Sequence, residues 1–547
     1  MSCWLFFYLS LVTTQTIYNT IKTHMKHVLN SRRKLLIAIL IAASLASACS
    51  ERVIIGSSKD TVVQKPTATS AFADVSSTSS IAPAPEFTGK ISWGTCNDDE
   101  GGSQDKIQCG TLEVPFDYDN PDIGSFKLFL IRKSASDQAN RVGSMLVNPG
   151  GPGFGGSSVA KDAQFYFSAE LLDRFDIVGW DPRGTGKTSP AIDCIDQYDE
   201  YFGMDSPPDT PQEKQAIVDA SQKFNDQCVK KSGEILPYIS TRSSAQDMDS
   251  IRRALGEEKI SYFGFSYGSE LGATWVTMFP KTVRAAVLDG ASDPNSSSLD
   301  QGLAQAKGFE MQLDAFLADC SARITCAFNS NGDSAKALDK LLITVDAAPL
   351  VVASDRTPVT QGVMFTALAQ AMYSDALWSQ LERALADAVV GDGSGLLALY
   401  DEYYQRKPNG TYGNELEAFI SISCLDDPGP IGIAAVDAQI PIFTKAAKRF
   451  GPGFGYGYSC ALWPVKQAKR VVVTGKGAGP VIVIGTTGDP ATPIESSRNA
   501  AKALESGIFL TVKAEQHTGY GVNTCIVETV DAYLIDLVVP KNGKVCE

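Results

Sequence analysis

Histidine is scarce in this chain, with 3 among 547 residues, and two of them, His24 and His27, stand in the N-terminal segment. After residue 49 there is one imidazole, His517, so any neutral-imidazole base in that part of the chain must be His517. A zinc cluster lacks ligands too, because no C-x-x-C spacing accompanies that single histidine. Positive charge is also in deficit. Residues 1–49 hold five basic groups and no acid, which leaves 43 basic against 62 acidic groups, a net −19, for the rest. A body so acidic repels phosphate backbones, which argues against nucleic acid as a partner. Finally, the apolar run LLIAILIAASLASA (35–48) has 14 residues, short of the roughly 20 that span a bilayer.

That run follows Arg32-Arg33-Lys34 and ends in small residues, the pattern of a signal peptide, so residues 1–48 are expected to be an export segment. Its proportions fit a start at Met25 better than at Met1. Cys49 follows Leu45-Ala46-Ser47-Ala48, where a bacterial lipoprotein is cut and acylated; ordinary cleavage after Ala48 is the alternative. Residues 49–90, rich in Ser, Thr, Ala and Pro, then form a flexible tether, and a lipid on Cys49 would be the chain's one membrane attachment. Ten cysteines follow, an even set that in an exported chain points to disulfides. Their order suggests five local pairs: Cys96 with Cys109, Cys194 with Cys228, Cys320 with Cys326, Cys424 with Cys460, and Cys525 with Cys546.

Short β-rich runs at 125–131, 144–148, 175–180, 260–263, 284–290, 481–485 and 508–512 alternate with helical patterns. This predicts an α/β fold with a mostly parallel sheet covered on both faces. Between about 295 and 470 the strand signal disappears and helical periodicity takes over, as in Leu377, Leu381, Leu385 and Ala388, or in IAAVDAQIPIFTKAAKRFG. The organisation expected is a core of residues 91–294 and 471–547 with a helical cap, 295–470, inserted.

KISYFGFSYGSELGATW places Ser266 between Gly264 and Gly268 where a strand gives way to a helix. A nucleophile elbow needs that context, because its turn is too sharp for bulky flanking residues. A serine nucleophile needs a base, which composition restricts to His517, and a carboxylate to hold the imidazole. Asp489 in VIVIGTTGDPATP and Asp289 in RAAVLDGASDP both end strands. The order Ser266, Asp489, His517 favours Asp489 and leaves Asp289 to cap a turn. LVNPGGPGFGG (146–156) offers backbone donors for an oxyanion: Gly151, since Pro152 has no N–H, paired with Tyr267 after the nucleophile.

The segments LVNPGGPGFGG, GWDPRGTGKTSP, GFSYGSELGATW, SISCLDD, GTTGDPATP and EQHTGYGVNTC, in this order, resemble the secreted bacterial tripeptidyl aminopeptidases of the α/β-hydrolase superfamily, relatives of the proline iminopeptidases. The resemblance runs from about residue 91 to the C-terminus. It implies an α/β-hydrolase fold and an acyl-enzyme mechanism with no metal or organic cofactor, acting on peptides with free N-termini. A carboxylesterase or envelope protease with the same triad is the rival reading, and a non-catalytic binding module a weaker one. One departure from the iminopeptidases is Asn148-Pro149, where they have a histidine. Arg183 in GWDPRGTG is expected to be structural. An enzyme that measures from a free N-terminus must pair the substrate ammonium with a carboxylate. Asp426 in SISCLDD is expected to supply it, with Glu270 as second candidate and a helix-capping role for Asp426 as the alternative.

Overall fold

The computed structural model describes residues 89–97, 100 and 106–547. The export segment, Cys49 and the tether up to residue 88 lie outside the described residues. The described residues build ten strands: β1 (Ser92–Gly94), β2 (Ile107–Asp117), β3 (Asn120–Lys133), β4 (Gly143–Asn148), β5 (Phe175–Asp181), β6 (Ile260–Phe265), β7 (Val283–Asp289), β8 (Val481–Thr486), β9 (Gly507–Val512) and β10 (Lys544–Cys546). They form one sheet in the order β1-β2-β3-β5-β4-β6-β7-β8-β9-β10. From β5 to β10 every neighbouring pair is parallel, while β1, β2 and β3 add an antiparallel edge.

Alternation along the strands accounts for the two-faced burial. Leu146, Tyr262, Leu288 and Val483 enter one apolar layer, while Met145, Val147, Phe263, Val287 and Ile484 enter the layer on the opposite face. Successive side chains on a strand point to opposite faces, so these near-continuous apolar runs require helices on both sides. The seven β-rich runs are all strands; β1, β2 and β10 are additional. β2 carries Gly110 and Pro115, which weaken its strand signal. Antiparallel pairing with β3 holds it nonetheless, with a register irregularity at Pro115.

Between β7 and β8 the chain is helical, with longer helices at Ser298–Ala322, Ser334–Ala347, Gln361–Met372, Trp378–Val389, Ser394–Tyr403 and Glu415–Asp426. This insertion has an apolar cluster of its own, including Phe309, Leu313, Phe316, Leu368, Leu381, Leu385 and Leu396. The helical periodicity read in IAAVDAQIPIFTKAAKRFG is realised as three short helices, Ile433–Asp437, Ile440–Ala446 and Phe450–Phe454. Pro441 sits in the first turn of the second, where its missing N–H costs nothing, and so starts a new helix. The cysteines join as Cys96–Cys109, Cys194–Cys228, Cys320–Cys326, Cys424–Cys460 and Cys525–Cys546. Such bridges fit an oxidising, extracellular setting.

Arg183, fully buried, pairs with buried Asp247 and donates to the carbonyls of Phe116 and Tyr238 at 2.8 and 2.7 Å. This side chain fastens the loop after β5 to the antiparallel edge.

Candidate active site

Ser266 stands between β6 and the helix Tyr267–Met278 with φ +54° and ψ −127°, a conformation that L-residues other than glycine seldom adopt. The flanking glycines show why. A Cβ on Gly264 would come within 2.3 Å of the Gly268 carbonyl oxygen, and one on Gly268 within 2.7 Å of the Asn148 carbonyl oxygen. Ser266 N–H donates to the Asp289 carbonyl at 2.8 Å, which ties the turn to the end of β7. The serine is therefore held at the C-terminal edge of the sheet, where ligands bind in open α/β sheets.

His517 follows β9 in a loop held from two sides. Its N–H donates to the Tyr373 carbonyl in the helical insertion, and its Nδ1 lies 2.8 and 2.9 Å from the two carboxylate oxygens of Asp489. Asp489, fully buried, also accepts from the N–H groups of Ala491 and Thr492 and from the Thr492 hydroxyl, each within 2.9 Å. With its lone pairs so engaged, the carboxylate fixes the imidazole with Nδ1 protonated and Nε2 basic. Nε2 is buried and has no hydrogen-bond partner among the described residues. Burial favours the neutral imidazole, but the charge and hydrogen bond of Asp489, aided by the charge of Asp289, outweigh it and raise His517 above its ordinary value.

Asp289 does more than cap a local turn. It accepts the N–H groups of Gly519 and Tyr520 at 2.8 Å each and so anchors the far side of the His517 loop. Burial pushes this carboxyl up to about 6 against those two hydrogen bonds.

The Gly-rich loop after β4 packs on the elbow. A Cβ on Gly150, at φ +107°, would lie 2.8 Å from the Ser266 Cβ and 3.0 Å from the Tyr267 nitrogen, so only glycine permits this approach. The buried Asn148 side chain accepts the Gly150 N–H at 2.9 Å, which supplies the loop support left open by the missing histidine. Ser266, His517 and Gly151 line one cavity of about 300 Å³. Its remaining walls come largely from the insertion: Tyr373, Glu402, Tyr403, Leu416 and Phe419. A larger charged cleft of about 920 Å³ shares Pro149, Phe154 and Gln405 with it.

An elbow serine and a carboxylate-held imidazole on one cavity can carry acyl transfer through a covalent intermediate. Comparison with known proteins agrees. The chain is 34% identical over 488 residues to the serine protease Hip1 of Mycobacterium tuberculosis (strain ATCC 25618 / H37Rv), covering 84% of this chain and 92% of that protein. To carboxylesterase B of the same organism it is 34% identical over 484 residues, 85% of this chain and 91% of that one. To the tripeptidyl aminopeptidase of Streptomyces coelicolor it is 30% identical over 478 residues, 83% and 85% of the two chains. Residues 447–546 match a family model described as TAP-like protein. The chain belongs to the tripeptidyl aminopeptidase-like family of α/β-hydrolases.

This hydrolase draws its two cavity-facing groups and its buried aspartate from loops at the ends of β6, β8 and β9. Its acids elsewhere correct one expectation. Asp426, the last residue of the helix Glu415–Asp426, does not line the cavity. Its oxygens accept the Thr241 N–H at 3.0 and 3.2 Å and the Thr241 hydroxyl at 2.6 Å, in the first turn of the helix Thr241–Ala254. A carboxylate is favourable there because the helix N-terminus carries partial positive charge. The Thr241 hydroxyl also bonds the Tyr267 hydroxyl, so Asp426 caps one helix and braces the elbow helix, in keeping with the helix-capping alternative. Glu270 does not line the cavity either. It accepts from the Ser292 hydroxyl at 3.4 Å and lies 3.8 Å from Arg470. Burial, with the nearby charges of Asp426 and Asp427, pushes it up to about 7 against the opposing charge of Arg470.

Thr492, Tyr373 and Glu402 were not singled out from the sequence. An Asx-turn signal in Asp489-Pro490-Ala491-Thr492 was available for the first. For the insertion residues no local motif exists.

Proposed function

We propose that the enzyme cleaves peptide bonds near free N-termini through an acyl-enzyme on Ser266, with His517 as base and Asp489 as its partner. One observation carries this reading: Asp489 holds the Nδ1 side of the imidazole, while unpaired Nε2 belongs to the cavity that contains the strained elbow serine. Ser266 Oγ attacks the carbonyl carbon as His517 Nε2 takes its proton. The oxyanion is met by the N–H groups of Tyr267 and Gly151. Collapse breaks the C–N bond, with His517 returning the proton to the leaving amine. Water then attacks the acyl-serine by the same route and releases the acid and Ser266. The adjoining 920 Å³ cleft gives the remainder of a peptide room to leave.

The name of the Streptomyces relative supports release of tripeptides, and that of carboxylesterase B supports ester hydrolysis as the second reading. The Arg32-Arg33-Lys34 leader, Cys49 and the five disulfides support an exported, lipid-anchored protein. Steady-state kinetics on matched tripeptidyl anilides, free and N-acetylated, and on short acyl esters test the activity. Free tripeptidyl substrates should be preferred. Equal turnover of N-acetylated peptides would exclude the aminopeptidase reading, and turnover of esters alone would establish the esterase.

A further inference from the structure

Among the side chains that line the cavity of Ser266, Glu402 is the one carboxylate. It lies in the last turn of the helix Ser394–Tyr403, where no basic residue complements the partial negative charge of the helix terminus. Its neighbour Asp401 is neutralised by Arg356, which donates from Nη1 to Oδ2 at 2.9 Å. Glu402 itself makes no side-chain hydrogen bond or ion pair with the described residues. The remaining polar side chains of this wall, Gln370 and Gln405, are neutral amides. An exposed carboxylate and the carbonyl end of a helix thus place negative potential in the wall of a cavity whose other lining from the insertion includes the rings of Tyr373, Tyr403 and Phe419. Two of those rings, Tyr373 and Tyr403, stand 6.5 Å apart between centroids, and aromatic faces also attract cations.

We infer that Glu402 is the group that receives the substrate's cation, and that this cation is the α-ammonium of the acyl part. The assignment of the α-ammonium rests on the aminopeptidase reading; the attraction of Glu402 for a cation does not. A free N-terminus bound there would measure the distance to the bond at Ser266, since an extended peptide advances about 3.3–3.6 Å per residue. An N-blocked chain would lose this contact, so Glu402 sets specificity without touching the reacting atoms.

The test compares Glu402→Gln with wild type on four substrates: a free tri-alanyl anilide, its N-acetyl form, an N-acetyl tripeptide anilide with lysine in the acyl part, and p-nitrophenyl butyrate as uncharged reference. The full-length purified chain is used, and fluorophosphonate labelling of Ser266 verifies that the variant is folded. The KM for the free peptide, relative to that for the ester, should rise about ten-fold, equivalent to about 1.4 kcal/mol, with kcat little changed. A parallel rise on all four substrates would make Glu402 structural and overturn the inference. A selective rise on the lysine substrate would assign the contact to a side-chain cation and overturn the α-ammonium assignment. If wild type cleaves free peptides and Glu402→Gln leaves their KM unchanged, this inference fails while the aminopeptidase reading stands. If wild type cleaves no free peptide, that reading fails, and only the lysine arm bears on cation binding.

Discussion

The sheet edge and the helical insertion contribute to the same cavity by different physical means. At the sheet edge, every group of interest is held by directional bonds: Ser266 by the Asp289 carbonyl, His517 by Asp489, Asp489 by Ala491 and Thr492. In the insertion, Tyr373, Tyr403 and Leu416 reach the cavity from an apolar cluster of packed helices, with Phe419 beside them, and the Glu402 side chain has no hydrogen-bond partner among the described residues. Directional bonds fix a reacting atom to the precision that chemistry demands, whereas apolar packing fixes shape but tolerates substitution. The two regions should therefore fail differently: damage at the edge in kcat, damage in the insertion in KM.

The largest expected effect is at the edge. Asp489→Asn keeps the shape but offers the imidazole the wrong tautomer, so kcat should fall by about 10⁴-fold, with the KM for free peptides little changed. A loss under ten-fold would mean that another group orients His517. Arg183→Met leaves the buried Asp247 charge unpaired and should cost about 3–5 kcal/mol of stability, read from urea unfolding. The surviving folded fraction should still acylate Ser266, since Arg183 touches no reacting group. Asp289→Asn keeps one acceptor for the two N–H groups of the His517 loop; a small displacement of the base should lower kcat by roughly ten- to a hundred-fold. Tyr403→Ala probes the insertion. It should change KM by no more than about ten-fold and leave kcat near wild type; a dominant kcat effect would break the contrast between the regions.

The smallest effect is a displacement along the pH axis. Only neutral His517 accepts the serine proton, so kcat/KM should fall as pH drops through the imidazole's titration. Asp489 and Asp289 raise that titration, which places the acid limb above 6.5, the ordinary value for histidine. The same shift means that protonated His517 stabilises the fold below that ordinary value, a contribution lost as pH rises through the folded-state titration. An acid limb well below 6.5 would show that burial, not Asp489, dominates.

What was legible in the sequence follows the same division. Ser266, Asp489 and His517 lie in short strand-to-loop segments whose glycines, prolines and order carry their own geometry, and the lack of a second imidazole after residue 49 left no rival to His517 there. Six of the seven β-rich runs, those of β4 to β9, lie in the parallel part of the sheet and are legible because both of their faces are apolar. Asp426 is different: its neighbouring sequence shows an acid near a bridged cysteine, but its partner Thr241 is 185 residues away. No local pattern says which way a carboxylate at the end of a helix will face. Glu402 is still less legible, because a glutamate in a helix is ordinary until the helix is placed beside a cavity. Asp289 was legible as the alternative triad carboxylate or a turn cap, yet its hold on Gly519 and Tyr520 depends on β7 and the His517 loop meeting in space.

The most direct test of the catalytic assignment is the rate and site of fluorophosphonate labelling, followed by mass spectrometry on the intact and digested protein. Wild type should take up one adduct, on the peptide that contains Ser266; Ser266→Ala should take up none, and His517→Ala should react at least about a thousand-fold more slowly. Labelling that persists in Ser266→Ala, or proceeds at the wild-type rate without His517, would contradict the account.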